Sequence, residues 1–310
     1  MEYRVLGKTG LKVSRLGFGG IPIQRIDAEG TKALMHRLLE AGVNYIDSAR
    51  GYTVSEEYIG YGLEGIRDKF ILATKGRGLT KQAMQKDLET SLHNFRTDYI
   101  DLYQFHNPSL EDLETITAHS TQVFEKALDM DWVETIMFPY NLVENQGAEL
   151  IAKCQEKNVG FICMKPLAGG AIDDASLALR YIVQNPAVTV VIPGMASDRE
   201  LSQNLAAVGN SAPLTGEETA KIQAIRDSLG TQFCRRCNYC APCTVGIHIP
   251  QLFVLEGYLT RYGLADWAKG RYEAETKAST CIECGACEGR CPYHLPIREM
   301  MKRVAREFEG

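Results

Sequence analysis

The chain has 310 residues, of which 45% are hydrophobic and 24% charged; Lys+Arg number 34 against Asp+Glu 39, a formal net charge of −5. It is too apolar for a disordered chain and too acidic overall for a surface that binds nucleic acid along its whole length. No apolar run approaches the roughly 18 residues of a membrane span, and the opening MEYRVLGKTGLKVS lacks a signal peptide's apolar stretch, so a cytoplasmic protein of about two domains is expected.

In chain order, YRVLGKTGLKVSRLGFG reads as a hairpin turning at Thr9-Gly10, placed to cap a barrel floor. Short apolar runs then alternate with helical segments. The runs are SRLGFGG, NYIDSA, FILATK, YIDLYQFH, ETIMFPYN, GFICMKPL and VTVVIPG. Between them lie AEGTKALMHRLLEAG, with Leu34, Leu38 and Leu39 at helical spacing, and LTKQAMQKDLETSLHNF, STQVFEKALDM, GAELIAKCQEKN and DASLALRYIVQ. Repeated strand–helix units predict a parallel sheet, and about eight such units favour an α/β fold of the (β/α)8 TIM-barrel type. Gly17-Phe18-Gly19-Gly20 matches neither a dinucleotide fingerprint nor a P-loop. It is a tight turn at a strand end or a floor on which a cofactor lies against backbone.

Four polar residues close or follow successive strands: Asp47, Tyr52, Lys75 and His106. In a barrel, strand C-termini converge on one face, where active sites lie. A charge closing an apolar strand is costly unless it is paired or used.

The segments GVNYIDSARGY (42–52), ILATK (71–75), DLYQFHNP (101–108) and VVIPGMASDRELSQN (190–204) resemble the aldo/keto reductase superfamily. The resemblance implies hydride transfer between a nicotinamide and a small-molecule carbonyl substrate. It makes Tyr52 the proton donor, Lys75 the ammonium that lowers the phenol's ordinary pKa of about 10, Asp47 the partner of Lys75, and His106 the residue that orients the carbonyl. It points to Gly20, Asn141, Lys165, Gly194, Arg199 and Asn204 as cofactor contacts, with NADP or NAD as cofactor. Two positions depart from the family pattern. Met164 stands where an aromatic residue is usual, and Gly194, Met195 and Glu200 stand near the usual Lys and Arg; a glutamate near the ribose would suit a 2′-hydroxyl better than a phosphate. The connection after His106 is also short. Only residues 107–115 precede IleThrAlaHisSer at 116–120, too few for a parallel crossover, so the barrel is expected to be incomplete or rebuilt around 107–120. His119 resembles a carboxamide-contacting residue.

The chain holds 10 cysteines, and only Cys154 and Cys163 precede residue 230; on a helix and a strand, those two read as core. Charge turns from an acidic excess in 1–230 to a slight basic excess in 231–310, so a reductase-like body and a cysteine-rich tail are expected to meet near Gly230. Cys234, Cys237, Cys240 and Cys243 form C-x2-C-x2-C-x2-C, and Cys281, Cys284, Cys287 and Cys291 form C-x2-C-x2-C-x3-C before Pro292. The second motif is the bacterial ferredoxin run, in which the fourth cysteine serves the other cluster. Two [4Fe–4S] clusters are expected, one on Cys234, Cys237, Cys240 and Cys291, the other on Cys281, Cys284, Cys287 and Cys243. Zinc, which favours separate Cys-x2-Cys pairs, fits unbroken runs poorly. PQLFVLEGYLTRYGLADWAKGRYEAE between the motifs reads as helices, so the tail resembles an α-helical ferredoxin domain.

The combined expectation is an oxidoreductase that reduces aldehydes or ketones with NAD(P)H and carries two clusters for electron transfer. Nicotinamide moves a hydride and each cluster a single electron, so a flavoprotein or other redox partner is expected at the clusters. The alternative is an iron–sulfur electron-transfer protein whose barrel no longer catalyses.

Overall fold

A computed structural model describes residues 1–106 and 121–310. The expected rebuilding around 107–120, and His119 with it, lie outside the described residues. The chain divides into two compact units, Met1–Ala168 with Asp174–Leu214, and Gly169–Asp173 with Thr215–Gly310.

The first unit opens with the hairpin of β1 (Tyr3–Val5) and β2 (Lys12–Ser14), antiparallel with Tyr3 opposite Ser14. Gly10 supplies the positive φ of 71° that its turn needs. The seven apolar runs are then parallel strands: β3 (Phe18–Gly19), β4 (Tyr45–Asp47), β5 (Ile71–Gly76), β6 (Leu102–Phe105), β7 (Thr135–Pro139), β8 (Gly160–Met164) and β9 (Val190–Val191). Helices α1 (Ala28–Glu40), α2 (Ser55–Gly62), α3 (Lys81–Phe95), α4 (Thr121–Leu128), α5 (Ala148–Glu156), α6 (Ala175–Val183) and α7 (Asp198–Gly209) alternate with them. Side chains of Asp27, Thr80, Asp174 and Ser197 accept the N–H that begins α1, α3, α6 and α7, which fixes where each helix starts.

The strands form two sheets, β3-β4-β5-β6 and β7-β8-β9, stitched where Leu16 bridges Val191 and Gly19 bridges Gly194. Closure at β3 and β9 curls both sheets around a shared interior. Alternation along each strand sorts the side chains into two cores. Tyr45, Ala73, Met137, Ile162 and Val190 fill the interior, and Leu6 and Val13 of the opening hairpin join them. Ile46, Leu72, Phe138 and Phe161 face outward among helix residues such as Leu34, Leu38 and Ile151. Gly7 and Gly160 allow the hairpin to seat, because a Cβ on Gly7 would come within 2.2 Å of the Gly160 nitrogen.

The second unit contains α8 (Gly216–Gly230), α9 (Ile249–Thr260), α10 (Ala265–Tyr272), the short α11 (Ala286–Gly289) and α12 (Ile297–Glu309). Compactness changes at residue 215, whereas composition changes at 230. The mostly exposed helix α8, begun by a capping box of Thr215 and Glu218, groups with the tail although it carries no cysteine. Ile297, Met300, Met301 and Val304 recur at helical spacing on α12 and pack with Leu252, Phe253 and Leu255 of α9. The same pair is clamped by Arg303, whose Nε and Nη2 donate to the buried Glu256 carboxylate at 2.5 and 2.9 Å. Leu252 and Leu255 are fully buried, while Leu259 and Tyr262 are half-buried.

Candidate active site and cluster-binding pockets

The site in the first unit is built by register. Tyr45, Ala73 and Leu102 point into the barrel interior, and two residues further along each strand stand Asp47, Lys75 and Gln104. Strand pairing sets Asp47 opposite Ala73 and Lys75 opposite Gln104, so three polar side chains meet at the C-terminal ends of adjacent strands. Lys75 Nζ donates to Asp47 Oδ2 at 2.5 Å and to the Ser48 carbonyl at 2.6 Å, and Gln104 Nε2 donates to Asp47 Oδ1 at 3.1 Å. Asp47 is 3% and Lys75 5% exposed. Burial pushes the Asp47 carboxyl above the usual carboxylate range, and Lys75 and Gln104 pull it back. Two opposite charges with this many hydrogen bonds can remain buried as a pair.

Tyr52 lies on the loop after β4, half-buried, with Lys75 Nζ 5.4 Å from its ring centroid. His106, two residues beyond Gln104, meets the Tyr52 ring edge-on, with centroids 5.7 Å apart at 88°. Asp47, Tyr52, Lys75 and His106 are therefore brought together. A phenol beside an ammonium and an imidazole is a donor set suited to delivering a proton to an oxygen that gains charge.

The loop carrying Tyr52 is held by residues that the sequence did not mark. Glu56 is fully buried on α2. Its carboxylate accepts from Arg50 Nη1 at 2.6 Å, Thr74 Oγ1 at 2.7 Å, Ser91 Oγ at 2.8 Å and Asn94 Nδ2 at 3.1 Å. It thereby ties β5 and α3 to the segment on either side of Tyr52. Ser55 Oγ donates to the Gly20 carbonyl at 2.8 Å and lies 2.9 Å from Ser48 Oγ. Only the pairing of a helical Glu with donors distant in sequence would have signalled this network, and one sequence does not reveal such pairing.

The cofactor candidates are more scattered. A Cβ on Gly20 would meet Ser55 Oγ at 2.9 Å, and one on Gly194 would meet Pro22 Cγ at 2.5 Å, so both glycines serve close packing. Asn141 anchors a turn: Nδ2 donates to Glu144 Oε2 and the Lys165 carbonyl, both at 2.9 Å, and Oδ1 accepts from the Val143 and Glu144 N–H groups. Lys165 is half-buried with a φ of 52° just beyond β8. Met164 flanks the interior core. Arg199 is exposed in the first turn of α7, and Asn204 is buried one turn on. Glu200 Oε2 accepts from the Ala196 N–H at 2.6 Å, and Arg25 Nη2 lies 3.3 Å from its Oε1. The start of α7 thus holds its own carboxylate.

In the second unit the eight tail cysteines line two pockets. Cys234, Cys237, Cys240 and Cys291 line one, with Phe253 and Leu295; Cys243, Cys281, Cys284 and Cys287 line the other, with Ile247 and Met301. Ile249 and Ile297 line both and form the partition between them. Burial pushes the Cys234 thiol up to about 11 and the Cys240 thiol up to about 12, whereas Cys284 is held below the ordinary range chiefly by the Thr244 hydroxyl. Four thiols in an apolar pocket suit a polynuclear iron–sulfur core, whose irons each take one thiolate. Among the described residues, no three His, Cys, Asp or Glu side chains gather as a single-ion site. Cys154 and Cys163 are buried core residues; burial raises the Cys154 thiol to about 12 and moves Cys163 further in the same direction.

The aldo/keto reductase family model matches residues 15–119 and 172–227, about half of the chain. The chain is a member of the aldo/keto reductase family. A 4Fe-4S dicluster domain model matches residues 233–296. It is 25% identical to L-galactose dehydrogenase of Arabidopsis thaliana over 73% of the chain and 94% of that protein. It is 23% identical to a probable voltage-gated potassium channel subunit beta of rice over 74% of the chain and 97% of that protein. Among solved structures, an aldo-keto reductase from Bacillus halodurans in its holo form superposes with a TM-score of 0.63 at 27% identity, covering 73% of this chain and 96% of its own. The fold is the (β/α)8 barrel of that family, joined to an iron–sulfur tail. Among the described residues, no helix is long and apolar enough to cross a membrane.

Proposed function

We propose that this reductase transfers a hydride from NAD(P)H to the carbonyl of an aldehyde or ketone, with Tyr52 as acid in a body spanning residues 1–230. We further propose that residues 231–310 carry two [4Fe–4S] clusters that exchange electrons with a flavoprotein partner. The buried Asp47–Lys75 pair beside the Tyr52 ring carries the first reading. When bound, the reduced nicotinamide supplies the hydride that reaches the carbonyl carbon. Tyr52 gives its hydroxyl proton to the carbonyl oxygen, which becomes the alcohol. Lys75 stabilises the phenolate left behind, and Asp47, braced by Gln104, keeps the Lys75 ammonium in place. His106 orients the carbonyl at the edge of the Tyr52 ring. A proton from solvent restores Tyr52. Replacement of Tyr52 by Phe tests the assignment.

The carboxylate of Glu200 at the start of α7 supports NADH as the preferred reductant, because it suits a ribose 2′-hydroxyl and repels a 2′-phosphate. KM for NADPH is expected to exceed that for NADH, and Glu200→Gln to narrow the gap. A lower KM for NADPH in the unaltered protein would contradict the preference.

The two four-thiol pockets support the second reading. Anaerobically purified protein is expected to contain about eight Fe per chain, four for each set of four thiolates. Zinc without iron would overturn it. Hydride transfer to a carbonyl and one-electron exchange at a cluster are separate chemistries, so neither site needs the other to turn over.

A further inference from the structure

The two cysteine pockets are not equivalent. Cys240 and Cys291 are each only 8% exposed, deep in the core of the second unit. In the other pocket, Cys284 is exposed, as are its neighbours Ile282 and Glu283, with Ile282 at 64%. The first pocket also has an exposed lining residue, Asn238, but its two innermost thiols lie beneath apolar side chains. A second difference is chemical. Thr244 Oγ1 lies 3.4 Å from Cys284 Sγ. Once Cys284 binds iron as a thiolate it has no S–H to give, so the hydroxyl must be the donor.

We propose that the cluster on Cys243, Cys281, Cys284 and Cys287 is the solvent-facing redox edge of this protein, where one-electron carriers exchange electrons, and that Thr244 sets its potential. Each exchange adds or removes one electron and breaks no bond. The electron that enters raises the negative charge on the cluster and its sulfurs. A hydroxyl aimed at one of those sulfurs stabilises the reduced form, and so does nearby water. Both features favour reduction at this edge. Ile282 offers a small apolar tip beside the exposed sulfur, and Ile249 and Ile297, which line both pockets, would separate this cluster from the second.

This inference rests on the two-cluster reading, and iron content separates the two. The test is a redox titration of the anaerobic, full-length protein followed by electron paramagnetic resonance. In Thr244→Val, which keeps the shape and removes the hydroxyl, one midpoint potential is expected to move negative while the other stays. Thr244→Ser is expected to restore it. About eight Fe per chain in all three proteins, by the ligand count above, shows that the clusters are present. Unmoved midpoints at full iron content would overturn the role of Thr244. A second measurement needs no variant of Thr244: a soluble lanthanide chelate, added to the unaltered protein, is expected to speed the spin relaxation of one cluster. That signal should be the one altered by Cys284→Ser. Equal relaxation of both clusters, or faster relaxation of the other, would overturn the assignment of the edge.

Discussion

Tyr52→Phe is expected to slow carbonyl reduction by roughly 10² to 10⁴, the usual range for a general acid. The substitution removes one oxygen and keeps the ring that packs edge-on against His106. The Asp47–Lys75 pair retains its partners Ser48 and Gln104, so the barrel mouth stays assembled. The loss should therefore fall on kcat, with the KM for the nicotinamide little changed, because an interaction used only in the transition state is removed. Steady-state turnover with a panel of aldehydes and ketones measures it. Equal turnover by the two proteins would reject Tyr52 as the acid.

The largest effect on stability is expected at Glu56, a residue with no place in the chemistry. Glu56→Ala deletes an acceptor shared by Arg50, Thr74, Ser91 and Asn94. Thr74 and Ser91 are themselves fully buried, so their hydroxyls lose their acceptor without gaining water. Breaking a buried charge pair from one side costs about 3–5 kcal/mol, and this network falls in that class. The unfolding midpoint of the first unit in urea should drop accordingly, and activity should fall with it because Arg50 and Ser55 flank the Tyr52 loop. An unchanged midpoint would mean that the network adds nothing to stability.

The strands were readable because each is a short apolar run between polar helices, and all seven appear where the runs lie. The four polar residues at strand ends were readable for the same reason. Period-two alternation carries Tyr45 to Asp47 and Ala73 to Lys75 on one face. Gln104 obeyed the same rule but went unmarked, since a polar residue inside an apolar run looks like an outward-facing one until register places it beside Asp47. Glu56 was hidden because its partners lie up to 38 residues away, in α3. The cysteine motifs were legible from spacing alone, and folding gathers them across the 37 residues between Cys243 and Cys281 into two pockets. Composition changes near residue 230 because cysteines report ligands, whereas α8, which contributes none, groups with the second unit.

The proposed reaction is a direct hydride transfer at the barrel mouth, independent of the clusters. The most direct test supplies the cluster-loaded protein, under anaerobic conditions, with nicotinamide deuterated at the transferable position and an aldehyde that it turns over. The deuterium is expected on the carbinol carbon of the alcohol while both clusters remain oxidised. Alcohol without the label, formed as the clusters become reduced, would contradict it.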